Sequence, residues 1–182
     1  MPDMAMPDVQ ALRFEDDGET PNNPRLPLVV YRAAVNLAGA RDPAVPFERA
    51  FARHGWSDGW RDGIHPFLHF HTTTHEVLGI ARGRATVEFG GAKGQVLTVE
   101  AGDAVVLPAG TGHRRLEATD DLVVVGAYPR NASVDQRRPG QVDHHKALAA
   151  IAKVPMPEMD PIHGETGPLM QLWKAERVIK PR

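Results

Sequence analysis

The sequence of 182 residues contains no cysteine, which excludes disulfide bonds, thiolate-bound zinc and a cysteine nucleophile. It also has no apolar run near the roughly 18 residues that a membrane-spanning helix needs. The net charge is only -2 and both signs are scattered, so neither a nucleic-acid-binding stripe nor a basic membrane-binding face is predicted. The first residues carry prolines and aspartates where a secretory signal needs basic and apolar ones, and a cytoplasmic protein is therefore expected.

Glycine and proline, by contrast, are plentiful. Seventeen glycines and sixteen prolines favour a turn-rich β fold over a helical bundle. Between Ile64 and Tyr128, short alternating or apolar runs are separated by turn signals every eight to twelve residues or so, a spacing typical of a sandwich or barrel. The predicted strands are 28–31, 85–89, 95–99, 104–107, 113–117 and 122–128.

The segments on either side of this β region carry weaker signals. Residues 1–24 are rich in turn residues and are predicted to form a mobile lead, followed by a single domain over residues 25–182. Trp56 and Trp60 fall in a Gly/Asp-rich turn, where they either cover one end of a barrel or line the mouth of a pocket. Three further elements are predicted: short helices at 48–54 and 144–152, and a last strand or docking segment at 169–173.

The stretch from Gly63 to Gly83 concentrates four histidines and one glutamate. Successive side chains of an extended strand point to opposite faces, so His69 and His71 project to the same side, about 7 Å apart along the strand. Both imidazoles can then reach one ion, and Glu76 follows where a strand past a short turn brings its carboxylate to the same point. Imidazole and carboxylate are donors that a borderline divalent metal prefers, so the pattern indicates a metal site.

Only one of the neighbours His75 and Glu76 can face that ion, because adjacent strand residues point to opposite sides. The even positions Glu76, Leu78 and Ile80 carry large side chains, whereas the odd positions include Gly79. Large apolar residues belong on an inner face, which favours Glu76 as the ligand. In that case His75 either forms a hydrogen bond to one of the metal ligands or acts as a gate to the site. If the strand carries a bulge, His75 is the alternative ligand.

His113 enters a later strand from a glycine-rich turn and can meet the first group only through folding. The alternative is that His69, His71 and His113 are ordinary core histidines. Burying several unpaired polar groups would cost about 1–3 kcal/mol each, which favours a shared ion. His65 has the same strand parity as His69 and could touch a ligand. The other histidines are expected at the surface or as hydrogen-bonded core residues: His54, His144, His145 and His163.

Two motifs in this region resemble those of the cupin superfamily. Gly63-x5-His69-x-His71-x4-Glu76-x6-Gly83 is similar to the first cupin motif in every spaced position, and Gly102-x5-Pro108-x-Gly110-x2-His113 resembles the second. The second motif usually closes with an asparagine four residues after its histidine, a place that Glu117 holds here. The flanks, residues 47–63 and 155–173, further resemble those of the YjlB-type cupins.

The resemblance implies an all-β protein, a jelly-roll (double-stranded β-helix) barrel with short flanking helices. It also implies that His69, His71, Glu76 and His113 bind one divalent transition metal inside the barrel, for which Fe, Mn, Ni, Zn and Co all qualify. Dioxygenase, isomerase and lyase activities occur among cupins, usually on small oxygen-rich substrates. A homodimer is expected from the resemblance alone.

A small metal-dependent enzyme is therefore the first hypothesis. Four protein donors leave up to two positions of an octahedron open for a substrate oxygen, dioxygen or water, and Glu76 could also move a proton on a bound substrate. Arg115 shares parity with His113 and Glu117, so it either binds an anionic substrate in the cavity or pairs with Glu117 at the rim. Glu117 is itself a candidate substrate-binding residue. The alternatives are a non-catalytic domain that binds a small carbohydrate or organic acid, and an assembly unit with a structural metal.

Overall fold

In the computed structural model, which describes residues 8–174, two antiparallel sheets face each other and three helices flank them. The elements in chain order are β1 (Val9–Leu12), β2 (Leu28–Tyr31), α1 (Ala44–Arg53), β3 (Trp56–Asp62), β4 (Glu76–Arg82), β5 (Arg84–Phe89), β6 (Gln95–Glu100), β7 (Ala104–Leu107), β8 (His113–Ala118), β9 (Val123–Pro129), α2 (His144–Ala152) and α3 (Pro168–Lys174). The larger sheet has the order β1-β2-β7-β4-β9-β3 and the smaller one β6-β5-β8. The prediction of an all-β jelly-roll barrel with short flanking helices is confirmed. None of these helices combines the length and the apolar character that crossing a bilayer would take.

The six strands predicted from alternation and apolar runs are all present, with ends that differ by no more than one residue. In β5, Ala85, Val87 and Phe89 are fully buried, as a strand with one inward face requires. The reversal into β6 uses Gly90 and Gly91 at φ values of +89° and +77°, a region that favours glycine. Local pattern and turn chemistry therefore account for the strands.

Strand β4 separates two apolar cores because its side chains alternate between them. Leu78 and Ile80 belong to the core enclosed between the two sheets. Val77 belongs to the second core, which lies on the outer side of the larger sheet beneath α1 and α3. A Cβ on Gly79 would lie 2.4 Å from Cδ1 of Phe47, so glycine at this position lets α1 pack directly on the strand.

Two segments differ from the sequence-based predictions. Trp56 and Trp60 lie in strand β3 rather than in a turn, because main-chain pairing with β9 extends through them. Trp56 is buried in the outer core and its Nε1 donates to the Met159 carbonyl at 3.0 Å, whereas Trp60 lines the inner cavity. Residues 169–173 form helix α3 instead of a strand. Apolar residues at 169, 172 and 173 recur at helical spacing, and Trp173 docks them on the outer core.

Residues 9–24 are part of the fold, so the prediction of a mobile lead is wrong for them, while residues 1–7 lie outside the described chain. Strand β1 pairs with β2 at the edge of the larger sheet. The fully buried Asn22 donates to the Gly90 carbonyl at 2.9 Å and accepts from the Gly112 N–H at 3.1 Å. The turn-forming side chains of this segment thus satisfy main-chain groups of the barrel, which anchors the segment to it.

Candidate metal centre

The four predicted metal ligands come together at one end of the barrel interior. His113 is the first residue of β8, and Glu76 is the first residue of β4. His69 and His71 lie in the segment between β3 and β4, outside any regular strand. His69 exchanges two main-chain hydrogen bonds with His113, at 3.2 and 3.0 Å, which keeps this short piece extended. Its two histidines consequently face the same way, as the alternation predicts.

Their donor atoms are close enough to share one ion. One ring nitrogen from each of His69, His71 and His113 lies within 4.8 Å of the other two. Oε1 of Glu76 lies 3.4 Å from Nε2 of His71 and 3.3 Å from Nε2 of His113. All four residues are between 2% and 6% exposed. The protein therefore holds a buried group of three histidines, with a carboxylate beside it, that could bind a metal.

Hydrogen bonds of the three imidazoles show which nitrogen is left for an ion. In each ring Nδ1 contacts a main-chain carbonyl oxygen, which can only accept, so Nδ1 carries the proton. These carbonyls belong to Phe67 at 3.0 Å for His69, to Thr111 at 3.1 Å for His113, and to Asp135 for His71. Each Nε2 is then left to present a lone pair, the usual arrangement of metal-binding histidines. Nε2 of His71 is buried without a hydrogen-bond partner, which fits a donor whose partner is an ion.

Charges at the centre depend on one another. Burial opposes a charged His71, but the facing carboxylate of Glu76 outweighs it and raises the pKa of His71 to about 9. Burial also opposes charge on Glu76, yet His71 and His113 hold the pKa of that carboxyl well below its usual range. Burial, and then His113, lower the pKa of His69 to about 3, so this ring is neutral. Without a cation, a proton on His71 balances the carboxylate, and a metal ion would take the place of that proton.

The centre opens onto a cavity of about 170 Å³. Because pockets for drug-sized ligands usually measure about 300–1,000 Å³, this one suits a smaller molecule. The ring of Trp60 and the aliphatic side chain of Leu78 contribute apolar wall, and Gln136 and Tyr128 contribute polar groups. Nε1 of Trp60 donates to the Tyr128 hydroxyl at 2.9 Å. Burial and the charge of Glu76 raise the pKa of Tyr128, so its hydroxyl keeps its proton.

His75 faces away from the centre, on the outer side of β4. Its Nδ1 accepts the N–H of Ala109 at 2.9 Å, and its ring lies 4.8 Å from that of Trp173. Burial lowers the pKa of His75 to about 4, so it is a neutral core residue. The pairing of β4 with β7 is regular from Glu76 to Gly79, without the bulge that would turn His75 inward. The alternative in which His75 binds the ion is therefore wrong.

His65 lies at the mouth of the cavity, as its strand parity suggested. Its ring is 5.0 Å from the ring of His69, and the residue is exposed on its other side. It is therefore placed to meet an entering molecule without being one of the clustered donors. The remaining histidines lie away from the cavity wall, as expected: His54, His144, His145 and His163.

Arg115 and Glu117 do not line the cavity. The pairing of β8 with β5 shifts by one residue, so Arg115 lies opposite the inward-facing Val87 but Glu117 lies opposite Thr86. This irregularity turns Glu117 to the exposed outer face, and the prediction that it contacts substrate is wrong. Arg115 reaches only the rim of the cavity, near Gly63. A Cβ added to Gly63 would lie 4.0 Å from its Nη1. The alternative, an ion pair between Arg115 and Glu117, is not formed among the described side chains.

Three residues at the site were missed by the sequence reasoning. Tyr128 shares strand parity with Val124, which belongs to the core between the sheets, and that parity could have identified it. Asp135 and Gln136 lie in the loop after β9, and Asp135 is 64 positions from its contact His71. No local pattern connects this loop to the histidines, so only folding reveals the contact.

No protein-family model matches the chain. A curated relative, the uncharacterised protein YjlB of Bacillus subtilis (strain 168), is 40% identical over 166 residues, which are 91% of this chain and 97% of the relative.

Two solved structures are similar over part of the chain. Acireductone dioxygenase from Bacillus anthracis, with a cadmium ion in its active centre, matches 50% of this chain and 63% of its own, with 18% identity and a TM-score of 0.37. A variant of Bacillus subtilis oxalate decarboxylase matches 68% of this chain and 26% of its own, with 16% identity and a TM-score of 0.35. This chain spans less than two thirds of either enzyme, and likeness of this extent carries no argument about activity.

Proposed function

Because the chain belongs to the YjlB family of cupins, we propose that it is a small metal-dependent enzyme acting on a small oxygen-rich substrate. The observation that carries this proposal is the convergence of three buried imidazole nitrogens and one carboxylate beside a small cavity. His69, His71, His113 and Glu76 would hold one divalent transition metal. Bound there, the ion would supply Lewis-acid or redox chemistry at the positions that the protein leaves free.

Charges around the cavity favour a substrate that is neutral or carries a single negative charge. Among the described residues that line it, none is lysine or arginine, and Asp62 adds a negative charge at the mouth. A divalent ion beside Glu76 leaves one net positive charge, which one carboxylate or enolate of a substrate neutralises. A phosphate ester or other polyanion would find no further cation among the described residues that line the cavity and would lose hydration on entry.

Two side chains of the cavity wall are suited to orient such a substrate. The Tyr128 hydroxyl accepts from Trp60, so its own proton is left for an acceptor inside the cavity, either Glu76 or a substrate oxygen. The Gln136 amide offers both a donor and an acceptor to hydroxyl or carbonyl groups. Glu76 is the buried carboxylate of the cavity wall and is the group that we assign to proton transfer on the substrate.

The first test is the metal content of protein produced without a metal-binding tag. We expect about one equivalent of a divalent transition metal per chain in the wild type, because the donor set is complete. His71→Ala and His113→Ala should each lose most of it, since three donors remain. His145→Ala, at an exposed position of α2, is the matched control and should keep its metal. Equal loss in all three variants, or in none, would place the metal elsewhere.

The second test separates an enzyme from a binding domain. Metal-loaded protein is mixed with small hydroxy acids, diketones and sugars, and their consumption is followed by NMR. We expect turnover of a neutral or singly charged compound by the wild type. Glu76→Gln, with metal supplied in excess, should still bind that compound but turn it over at least about 100-fold more slowly, the scale of a lost proton-transfer group. Binding without consumption by the wild type would favour the non-catalytic domain.

A further inference from the structure

Residues 133–138, which we call the strap, run beside the segment that carries His69 and His71. Phe70 and Arg137 exchange two main-chain hydrogen bonds, each 2.9 Å long. The guanidinium carbon of Arg138 lies 3.5 Å from the centre of the Phe67 ring. The strap thus covers this segment on the side opposite to its pairing with β8, and it brings Gln136 to the cavity wall.

Asp135 joins the strap by side-chain hydrogen bonds to the segment that carries His69 and His71. Its carboxylate accepts from the N–H and the hydroxyl of Thr72 at 2.7 and 2.6 Å. It also accepts from the N–H and the hydroxyl of Thr73, at 3.2 and 3.0 Å. Four donors from two consecutive residues converge on one carboxylate, so its position relative to the chain that follows His71 is closely defined.

The same residue contacts His71 directly. The main-chain carbonyl of Asp135 accepts from Nδ1 of the His71 ring. This contact differs in kind from those of the other two imidazoles, whose Nδ1 atoms donate to carbonyls two residues earlier in their own segments. His69 and His113 are therefore oriented by local chain, whereas the orientation of His71 depends on a loop 64 residues away.

We propose that Asp135 is a positioning residue that aims Nε2 of His71 at the metal. Its carboxylate holds the strap against Thr72 and Thr73, and this grip keeps its carbonyl on Nδ1 of the ring. With the carbonyl in place, the ring has one tautomer and one orientation. Without the grip, the ring can rotate, and its proton can move to the nitrogen that should bind the ion. This inference rests on the proposed metal-dependent function.

The test compares metal affinity and coordination in matched variants, with Co(II) alone as the probe. Asp135→Ala should bind Co(II) about 10–100-fold more weakly than the wild type, the usual cost of losing the partner of a metal-binding histidine, while still reaching one ion per chain at saturation. The visible absorption bands of the bound Co(II) should shift, because they report the geometry of the donors. Asp135→Asn keeps an oxygen for the main-chain donors and should recover most of the affinity.

The control is Asp103→Ala, at the far end of β4 from Glu76. Asp103 is another buried carboxylate, and it accepts from the N–H groups of Ala33 and Glu100 and from Arg32. Its loss should lower the melting temperature yet leave Co(II) affinity and spectrum unchanged. A purely structural Asp135 would behave in the same way, and that result would overturn the proposal.

Two further outcomes are distinguishable. If Asp135→Ala does not fold, Thr72→Val removes only the 2.6 Å hydroxyl contact and should produce a smaller loss of affinity with a shift in the same Co(II) bands. An unshifted spectrum in that variant would again overturn the positioning role. If the wild type itself binds no Co(II), the proposed function fails, independently of Asp135.

Discussion

Metal binding at this centre should release a proton, and its affinity should rise with pH. The carboxylate of Glu76 raises the pKa of His71 to about 9 against the opposing effect of burial, so near neutral pH the ring carries a proton that an ion must displace. The pKa of Glu76 is held well below its usual range, and that of His69 is lowered to about 3. Neither Glu76 nor His69 exchanges a proton near neutral pH. Of these three groups, His71 therefore determines how metal affinity depends on pH.

The magnitude follows from the pKa of His71. Below that pKa, each pH unit weakens the apparent affinity about tenfold, which is about 1.4 kcal/mol. Between about pH 8.5 and about pH 6.5 the wild-type dissociation constant should therefore rise about 100-fold. In Glu76→Gln the main attraction that raises the pKa of His71 is gone, while burial and the weaker effect of Asp135 remain. That pKa should fall well below its wild-type value, and the affinity, although weaker, should vary much less over the same range.

The assay is calorimetric titration with Mn(II) in pairs of buffers that have different heats of ionisation. The difference between two buffers counts the protons released. We expect about one proton per ion for the wild type near neutral pH, and close to none for Glu76→Gln. A wild-type affinity that does not change with pH would refute the reasoning, as would equal pH dependence in the two proteins.

Two further predictions concern stability. Removing the metal with a chelator should lower the melting temperature, because an ion at about 100 times its dissociation constant stabilises the native state by about 2.7 kcal/mol; protein that contains metal but melts identically with chelator would contradict this. Gly79→Ala should destabilise the fold by about 1–3 kcal/mol in urea unfolding, because the new Cβ would meet the Phe47 ring at 2.4–2.8 Å. Phe47→Leu should relieve part of that penalty in the double variant, and additive costs would show that the two sites are not in contact.

The strands of the barrel could be predicted because each depends on alternation and on turn residues beside it. The helix α3 could not be assigned, since a mostly apolar run of five residues fits either a buried strand or a helix turn. The segment before β2 was misjudged for a different reason. A segment rich in Asp, Asn and Gly has the same composition whether it is mobile or anchored to the fold. What distinguishes them is the contact of Asn22 with Gly90 and Gly112, which local sequence does not contain.

Strand parity predicted part of the site and failed at a specific place. It put Glu76 on the inner face, where the structure has it, because β4 pairs regularly with β7 from its first residue. The same reasoning put Glu117 inward, but the one-residue shift between β5 and β8 turns it outward. Parity holds only along an uninterrupted strand, and a single irregularity reverses every side chain beyond it. No glycine or proline marks this irregularity in either strand, so it cannot be predicted from the sequence.

The part of the centre that no sequence pattern encodes is the orientation of its ligands. Histidines at metal spacing are recognisable because the side chain itself carries the donor atom. The groups that aim these rings are main-chain carbonyls, and every residue type has one. For His69 and His113 the carbonyl is two residues away, so the extended chain supplies it automatically. For His71 it belongs to Asp135, and only the packing of the strap selects that carbonyl from all the others in the chain. The local sequence therefore identifies the donor atoms, whereas their orientation depends on tertiary structure. For this reason variants of the strap test the orientation of the ligands, and variants of the motif test only their identity.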